Sequence, residues 1–217
     1  MIRGNDTPPV FTPGNEPYLG LEPVLHFDHI ICWSLESNER VAKWTRKKSD
    51  SLSPLQRAAC QIIPQSISIA LSIRELIRQG YLFSALILMR PLIERAATVS
   101  YLDDHPEAVS LWEGGWQYHK RPKLATMMAS MAGGVPDNEV QNIVKSHNSM
   151  VHGDPISSYQ NLVALQDGEI GYASGKILNN PDLCGSIAME CYLYLIVITA
   201  RMSKIFPEVR LDRPTGH

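Results

Sequence analysis

The sequence has no excess charge, no paired-cysteine motif and no long apolar run, and each absence excludes a class of protein. With a formal net charge of −2, it has no global attraction to nucleic acid, so any phosphate site must be a local group of Lys or Arg. The four cysteines have no CxxC spacing and there is no signal-peptide pattern, so we expect a cytoplasmic location. The most apolar run, 187–200, is shorter than the ~20 residues that span a bilayer, so we expect no membrane association.

The composition is that of an ordinary globular chain, with 44% hydrophobic and 19% charged residues. A chain of 217 residues can enclose one sizeable core, and no linker-like segment divides it. We therefore predict one helical domain over 31–217. Prolines break helices, so we predict an extended arm over 1–30, where the sequence carries Pro8, Pro9, Pro13, Pro17 and Pro23.

Local signals predict the main helices. Ser53-Pro54-Leu55-Gln56 combines an N-cap serine, a first-turn proline and a capping-box glutamine, and Gly80 marks the end of that helix. Residues 81–102 and 181–206 are apolar on nearly all sides, which predicts two buried helices packed on each other. Two apolar runs around Asp-Gly predict a small β-hairpin near 161–174. The predicted fold is thus an all-α, up-and-down bundle with one hairpin.

The most informative stretch is the helix that ends near His152. Its apolar face follows helical spacing, with Val140, Ile143, Val144, His147 and Val151 along it. Gly153 and Pro155 predict the end of the helix. At about 100° per residue, Lys145, Asn148 and His152 fall within roughly 60° of one another, on the flank of the apolar face. His152 then lies in the last turn, where the helix dipole favours an imidazolium, so it is either a structural helix end or a chemical group.

Arg90 and Glu94 are one turn apart on an otherwise apolar helix. The simpler interpretation is a structural ion pair within the bundle. The functional interpretation is that Arg90 reaches the cavity of His152 and binds an anion there, because a guanidinium suits phosphate.

These motifs together resemble a known family. The sequence 88–94 (LMRPLIE), then Tyr101-Leu102, a Pro-Glu-Ala helix and a His-Asn-x-x-Val-His-Gly helix end are similar to an uncharacterised bacterial branch of the HEPN superfamily (higher eukaryotes and prokaryotes nucleotide-binding). The resemblance covers most of the chain from Ser66 onwards. It implies an up-and-down bundle, often homodimeric, and in many members a metal-independent endoribonuclease of a toxin or antiphage system. It also implies an antitoxin-like protein as a possible partner.

The family motif is an arginine, four to six residues, and a histidine. His152 matches the histidine and Asn148 resembles the polar residue between the two. None of the three positions allowed for the arginine (Lys145, Ser146, His147) carries one. Lys145 has the six-residue spacing and the correct flank, whereas His147 has the four-residue spacing but faces the apolar side. By resemblance, the catalytic candidates are His152, Asn148 and Lys145, and the substrate-binding candidates are Arg90 and His147.

Two functions from different classes follow. One is a degenerate HEPN-like module that binds RNA, a nucleotide or a protein partner. The other is an endoribonuclease in which His152 transfers a proton at a ribose 2′-hydroxyl or the leaving oxygen while Lys145 stabilises the phosphate. Neither requires a cofactor. Other chemistries are disfavoured: Ser149, His152 and Asp154 lack the strand-turn-helix elbow of a hydrolase, and His147, His152 and Asp154 lack the helical spacing of a zinc site.

Overall fold

A computed structural model describes residues 16–117, 120–131, 137–164 and 168–211. This part of the chain is mostly helical, and the helices pack together around one core. The helices are α1 (Glu22–Arg46), α2 (Pro54–Gln79), α3 (Leu82–Asp104), α4 (Val109–Glu113), α5 (Leu124–Ala129), α6 (Asp137–His152) and α7 (Pro181–Ile205), and two short strands are β1 (Leu162–Ala164) and β2 (Ile170–Tyr172).

The predicted capping signals of α2 are confirmed. The Ser53 hydroxyl accepts from the Gln56 amide at 3.1 Å, and the Gln56 side chain accepts from the Ser53 amide at 3.0 Å. At the other end Gly80 adopts φ +81°, the left-handed conformation that closes a helix. Its carbonyl also accepts from the Ile177 amide at 2.7 Å. An added Cβ at Gly80 would lie 3.3 Å from the Ile177 carbonyl oxygen, and L side chains rarely adopt this φ, so the position favours glycine.

The prediction of an extended arm over 1–30 is wrong from residue 22 onwards, because α1 begins at Glu22. Pro23 lies in the first turn of α1, where the amide that proline lacks would have no helical partner. Arg74 on α2 pairs with Asp28 in α1 and with Glu16 just before it, which attaches this segment to the bundle. The first 15 residues of the predicted arm lie outside the described residues.

Helix α7 is the centre of the bundle and contacts α1, α2 and α3. The predicted packing of the two apolar helices on each other is therefore confirmed. Within the described chain, α7 alone is long and apolar enough to cross a membrane by length and composition. The apolar run 187–200 is therefore only part of this helix, which is 25 residues long. The central helix of a packed bundle meets the same criteria.

The strands β1 and β2 form an antiparallel pair in which Leu162 faces Tyr172 and Ala164 faces Ile170. Both strands are only three residues long. The side chains of Ile170 and Tyr172 are exposed. The residues that would form the predicted turn at 165–167 lie outside the described part of the chain.

Candidate functional site

Helix α6 carries the residues that the sequence singled out, and it ends as predicted. Its last residue is His152, and Gly153 follows with φ +69°. The Asp154 amide donates to the Ser149 carbonyl at 3.1 Å, which satisfies one of the unpaired carbonyls at the helix end. Pro155 then begins a 3₁₀ helix, Pro155–Asn161, that leads to β1.

Lys145, Asn148 and His152 lie on the solvent side of α6. Lys145 and His152 are exposed, and Asn148 is half-buried. Among the described residues, none of the three side chains has a hydrogen bond or an ion pair. Arg90 does not pair with them, because its guanidinium is bonded to Glu94. Within one chain these three groups are therefore accessible to a ligand but are not held in position by neighbouring side chains.

His147 is in the opposite environment, on the buried face of α6. Only 5% of this residue is exposed, and its Nε2 lies 2.8 Å from Oε1 of Glu190 on α7. The Tyr194 hydroxyl donates to the same carboxylate oxygen at 2.9 Å. We call this group the His–Glu–Tyr network. Helical spacing predicted His147 on the apolar face of α6 but predicted neither of its partners.

A signal for the two missed residues was present in the sequence. Glu190 is the one acidic residue within the apolar run 187–200, and Tyr194 follows it by one helical turn. A carboxylate on a buried helix requires a polar partner. What the sequence could not supply was the identity of that partner on α6, 43 residues earlier.

Burial and the nearby carboxylate shape the electrostatics of this network. Burial raises the pKa of the Tyr194 phenol, and the neighbouring Glu190 charge raises it further, so the phenol remains a hydrogen-bond donor. Burial likewise raises the pKa of the adjacent Cys191 thiol well above its usual value. Nδ1 of His147 is buried and has no hydrogen-bond partner among the described residues.

Two cavities share His147 and Glu190 in their linings. The larger, of about 410 Å³, lies between α5, α6 and α7, and is lined by Met128, Met131, Val140, Ile143, Ser146, His147, Glu190, Leu193, Tyr194 and Val197. The smaller, of about 220 Å³, includes Leu86, Met150 and Gln160 in its lining. Both contain His147 and Glu190, whereas Arg90 and His152 line neither.

The ion pair predicted between Arg90 and Glu94 is present, with Nε 3.1 Å from Oε1. The second oxygen of Glu94 lies 3.5 Å from Nη2 of Arg121, so one carboxylate faces two guanidinium groups. The Arg90 and Glu94 side chains are 17% and 29% exposed, which places the pair at the edge of the core and not within it. Nη1 of Arg90 is buried and lacks a hydrogen-bond partner in the part of the chain that the structure describes.

A third cavity, of about 370 Å³, adjoins this cluster between α2, α3 and α4. Its lining combines two indoles, two guanidinium groups and an amide. The residues are Ile62, Gln65, Glu94, Arg95, Thr98, Trp112, Gly115, Trp116 and Arg121. We call it the Trp–Arg cavity. Glu94 is the only one of these lining residues for which the sequence predicted a role, as the ion-pair partner of Arg90, because the others come from separate elements.

No group of three or more His, Cys, Asp or Glu side chains among the described residues is placed to hold a metal ion. Cys184 and Cys191 are both buried in α7. No family model, curated protein or solved structure matches this chain.

Proposed function

We propose that this chain is a HEPN-like helical module that binds a nucleotide, free or as a unit of RNA, without cutting it. The observation that carries the proposal is the Trp–Arg cavity, which places aromatic faces and guanidinium groups around one space. A nucleotide has the same two components, a flat base and an anionic phosphate.

The aromatic component is formed by Trp112 and Trp116. Both side chains are half-buried and both line the cavity. Indole faces bind bases by stacking, which contributes about 1–3 kcal/mol per base with little dependence on base identity. This favours recognition of a nucleotide without strong preference among bases.

The cationic component is a local surplus of positive charge. Arg95 and Arg121 line the described cavity, and Arg90 pairs with Glu94, which is the only acidic side chain in that lining. Arg95 donates to Gln65 and to the Pro91 carbonyl, so its guanidinium is held in place by neutral groups and keeps its charge available. A net charge of −2 for the chain does not oppose this, because phosphate binding depends on local charge.

The test is calorimetric titration of the full chain with AMP, with adenosine and with inorganic phosphate. We expect AMP to bind more tightly than either part. Arg121→Gln should weaken AMP about tenfold, the value of one charge-assisted hydrogen bond, and leave adenosine unchanged. Trp116→Leu should weaken both AMP and adenosine.

The matched control is Arg78→Gln, which removes an exposed arginine on α2 that pairs with Glu75 outside the cavity. It should leave every titration unchanged. Failure of the native chain to bind AMP, or equal binding by the native chain and Arg121→Gln, would overturn the proposal. Thermal melting of each variant separates a lost ligand contact from a lost fold.

A second candidate function rests on the exposed side of α6. Lys145 and His152 are open to solvent there and Asn148 is half-buried between them, as in a group shared between two chains. We propose as the alternative a metal-independent endoribonuclease of a toxin or antiphage system, completed in a homodimer in which two-fold symmetry brings two helix ends together. Exposed Met189 and Leu193 on α7 offer apolar surface for such contacts, with a second copy or with an antitoxin-like protein. If sedimentation shows a monomer at micromolar concentration, the proposed dimeric nuclease site is contradicted.

A further inference from the structure

The larger cavity beside His147 has an apolar body and an acidic end. Its walls are Met128, Met131, Val140, Ile143, Leu193 and Val197, and its polar lining consists of Ser146 and the His–Glu–Tyr network. A volume of about 410 Å³ lies within the range of small-molecule sites. The cavity is separate from the Trp–Arg cavity, with which it shares no lining residue.

The two oxygens of Glu190 are used differently. Oε1 accepts from Tyr194 at 2.9 Å and lies 2.8 Å from His147 Nε2. Oε2 has no hydrogen-bond partner among the described residues, and the side chain is 33% exposed. The carboxylate is therefore held in a defined orientation by one oxygen while the other remains accessible.

The charge in the cavity is not balanced by a permanent cation. The lining contains no Lys or Arg, and within the described chain no Lys or Arg forms an ion pair with Glu190. Of the residues that the structure describes, His147 is the only one that brings an ionisable nitrogen to this carboxylate. An incoming carboxylate would be repelled by Glu190, whereas an ammonium would find an accessible acceptor in Oε2 and an additional one in the Ser146 hydroxyl.

From this combination, we propose that the cavity binds a small amphiphilic amine, with the apolar body between α5, α6 and α7 and the ammonium on Glu190 Oε2. The His–Glu–Tyr network orients the carboxylate, and the apolar walls bury the body of the ligand. This site is independent of the nucleotide site proposed above.

Three compact probes that differ only in their polar group test the proposal: 1-aminoadamantane, 1-adamantanol and 1-adamantanecarboxylate. In calorimetric titrations of the full chain we expect the amine to bind about tenfold more tightly than the alcohol, the value of a charge-assisted over a neutral hydrogen bond. The carboxylate should bind most weakly. Absence of binding by all three, or equal affinity for amine and alcohol, would overturn the proposal.

Glu190→Gln removes the charge and keeps an oxygen that accepts from Tyr194. It should abolish the preference for the amine and leave adamantanol binding unchanged. Glu36→Gln, an exposed glutamate on α1, is the matched control and should preserve the native order. If Glu190→Gln keeps the preference, the ammonium is bound elsewhere and the proposal fails.

A second variant covers the case in which Glu190→Gln does not fold. Val197→Phe places a larger side chain at the cavity wall and leaves the three residues of the network unchanged in sequence. It should weaken all three probes together, whereas Leu35→Phe on the exposed side of α1 should not. Unchanged binding in Val197→Phe would show that the probes do not enter this cavity.

Discussion

The two histidines of α6 are five residues apart and have opposite environments. His147 is buried, and its ring nitrogen meets a carboxylate from α7. His152 is exposed in the last turn and has no side-chain partner among the described residues. The same residue type on the same helix is thus a packed structural group at one position and a free one at the other.

The two sides of α6 differ in how firmly their polar side chains are held. Five residues correspond to about 500° of rotation, so the two rings point to different sides of α6. The buried side is held by long-range contacts and can orient a polar group precisely. The exposed side has helix geometry alone to position its groups, and a second molecule would be required to complete a site there.

The largest expected effect compares the same substitution at both histidines. His147→Ala opens a void in the core and removes a partner of Glu190, so we expect a loss of about 2–3 kcal/mol in the free energy of unfolding. His152→Ala should change it by less than about 0.5 kcal/mol, as surface substitutions do. Urea denaturation monitored by tryptophan fluorescence measures both. Equal losses at the two positions would contradict the contrast.

The second prediction extends the comparison to the ion pair on α3. Glu94→Ala leaves Arg90, only 17% exposed, without its carboxylate, so we expect a loss of about 1–2 kcal/mol, below the value for a fully buried pair. Glu75→Ala removes a carboxylate from an exposed pair on α2 and should cost clearly less. The same denaturation curves decide this, and a cost at Glu94 no larger than at Glu75 would show that the pair contributes little to stability.

Chemical modification sharpens the contrast without changing the sequence. Diethyl pyrocarbonate should modify His152 about tenfold faster than His147, because a buried ring reacts only when the structure opens locally. Peptide mass spectrometry after short exposures gives the two rates. Glu190→Gln should accelerate modification of His147 and leave the rate at His152 unchanged. Comparable native rates would mean that α6 opens readily.

The smallest expected effect is on RNA. For a binding module we expect no cleavage of mixed RNA in EDTA by the native chain, by His152→Ala or by Lys145→Arg. The nuclease alternative requires metal-independent cleavage that falls by about 10²–10⁴ in His152→Ala, the usual contribution of general acid–base catalysis. It also requires Lys145→Arg to increase the rate, because arginine offers two parallel donors to phosphate. Cleavage with this pattern would replace the binding proposal.

Elements governed by neighbouring residues could be predicted from the sequence. The capping box at Ser53 and the glycine ends at Gly80 and Gly153 act within one or two turns, and the structure confirms all three. The apolar period of α6 likewise placed His147 on the buried face and His152 on its flank, but Val151, predicted on the same apolar face, is exposed. Local hydrogen bonds and helical spacing determine these features, and both are properties of a short segment.

Tertiary structure decided where distant segments meet. From the sequence alone, Pro23 predicts an extended arm. In the structure α1 begins at Glu22, because α1 packs on α7 and its Asp28 pairs with Arg74. The partner of His147 comes from α7, and the Trp–Arg cavity takes its walls from α2, α3, α4 and the residues that follow α4. Such encounters depend on how whole helices pack, and no periodicity within one segment encodes them.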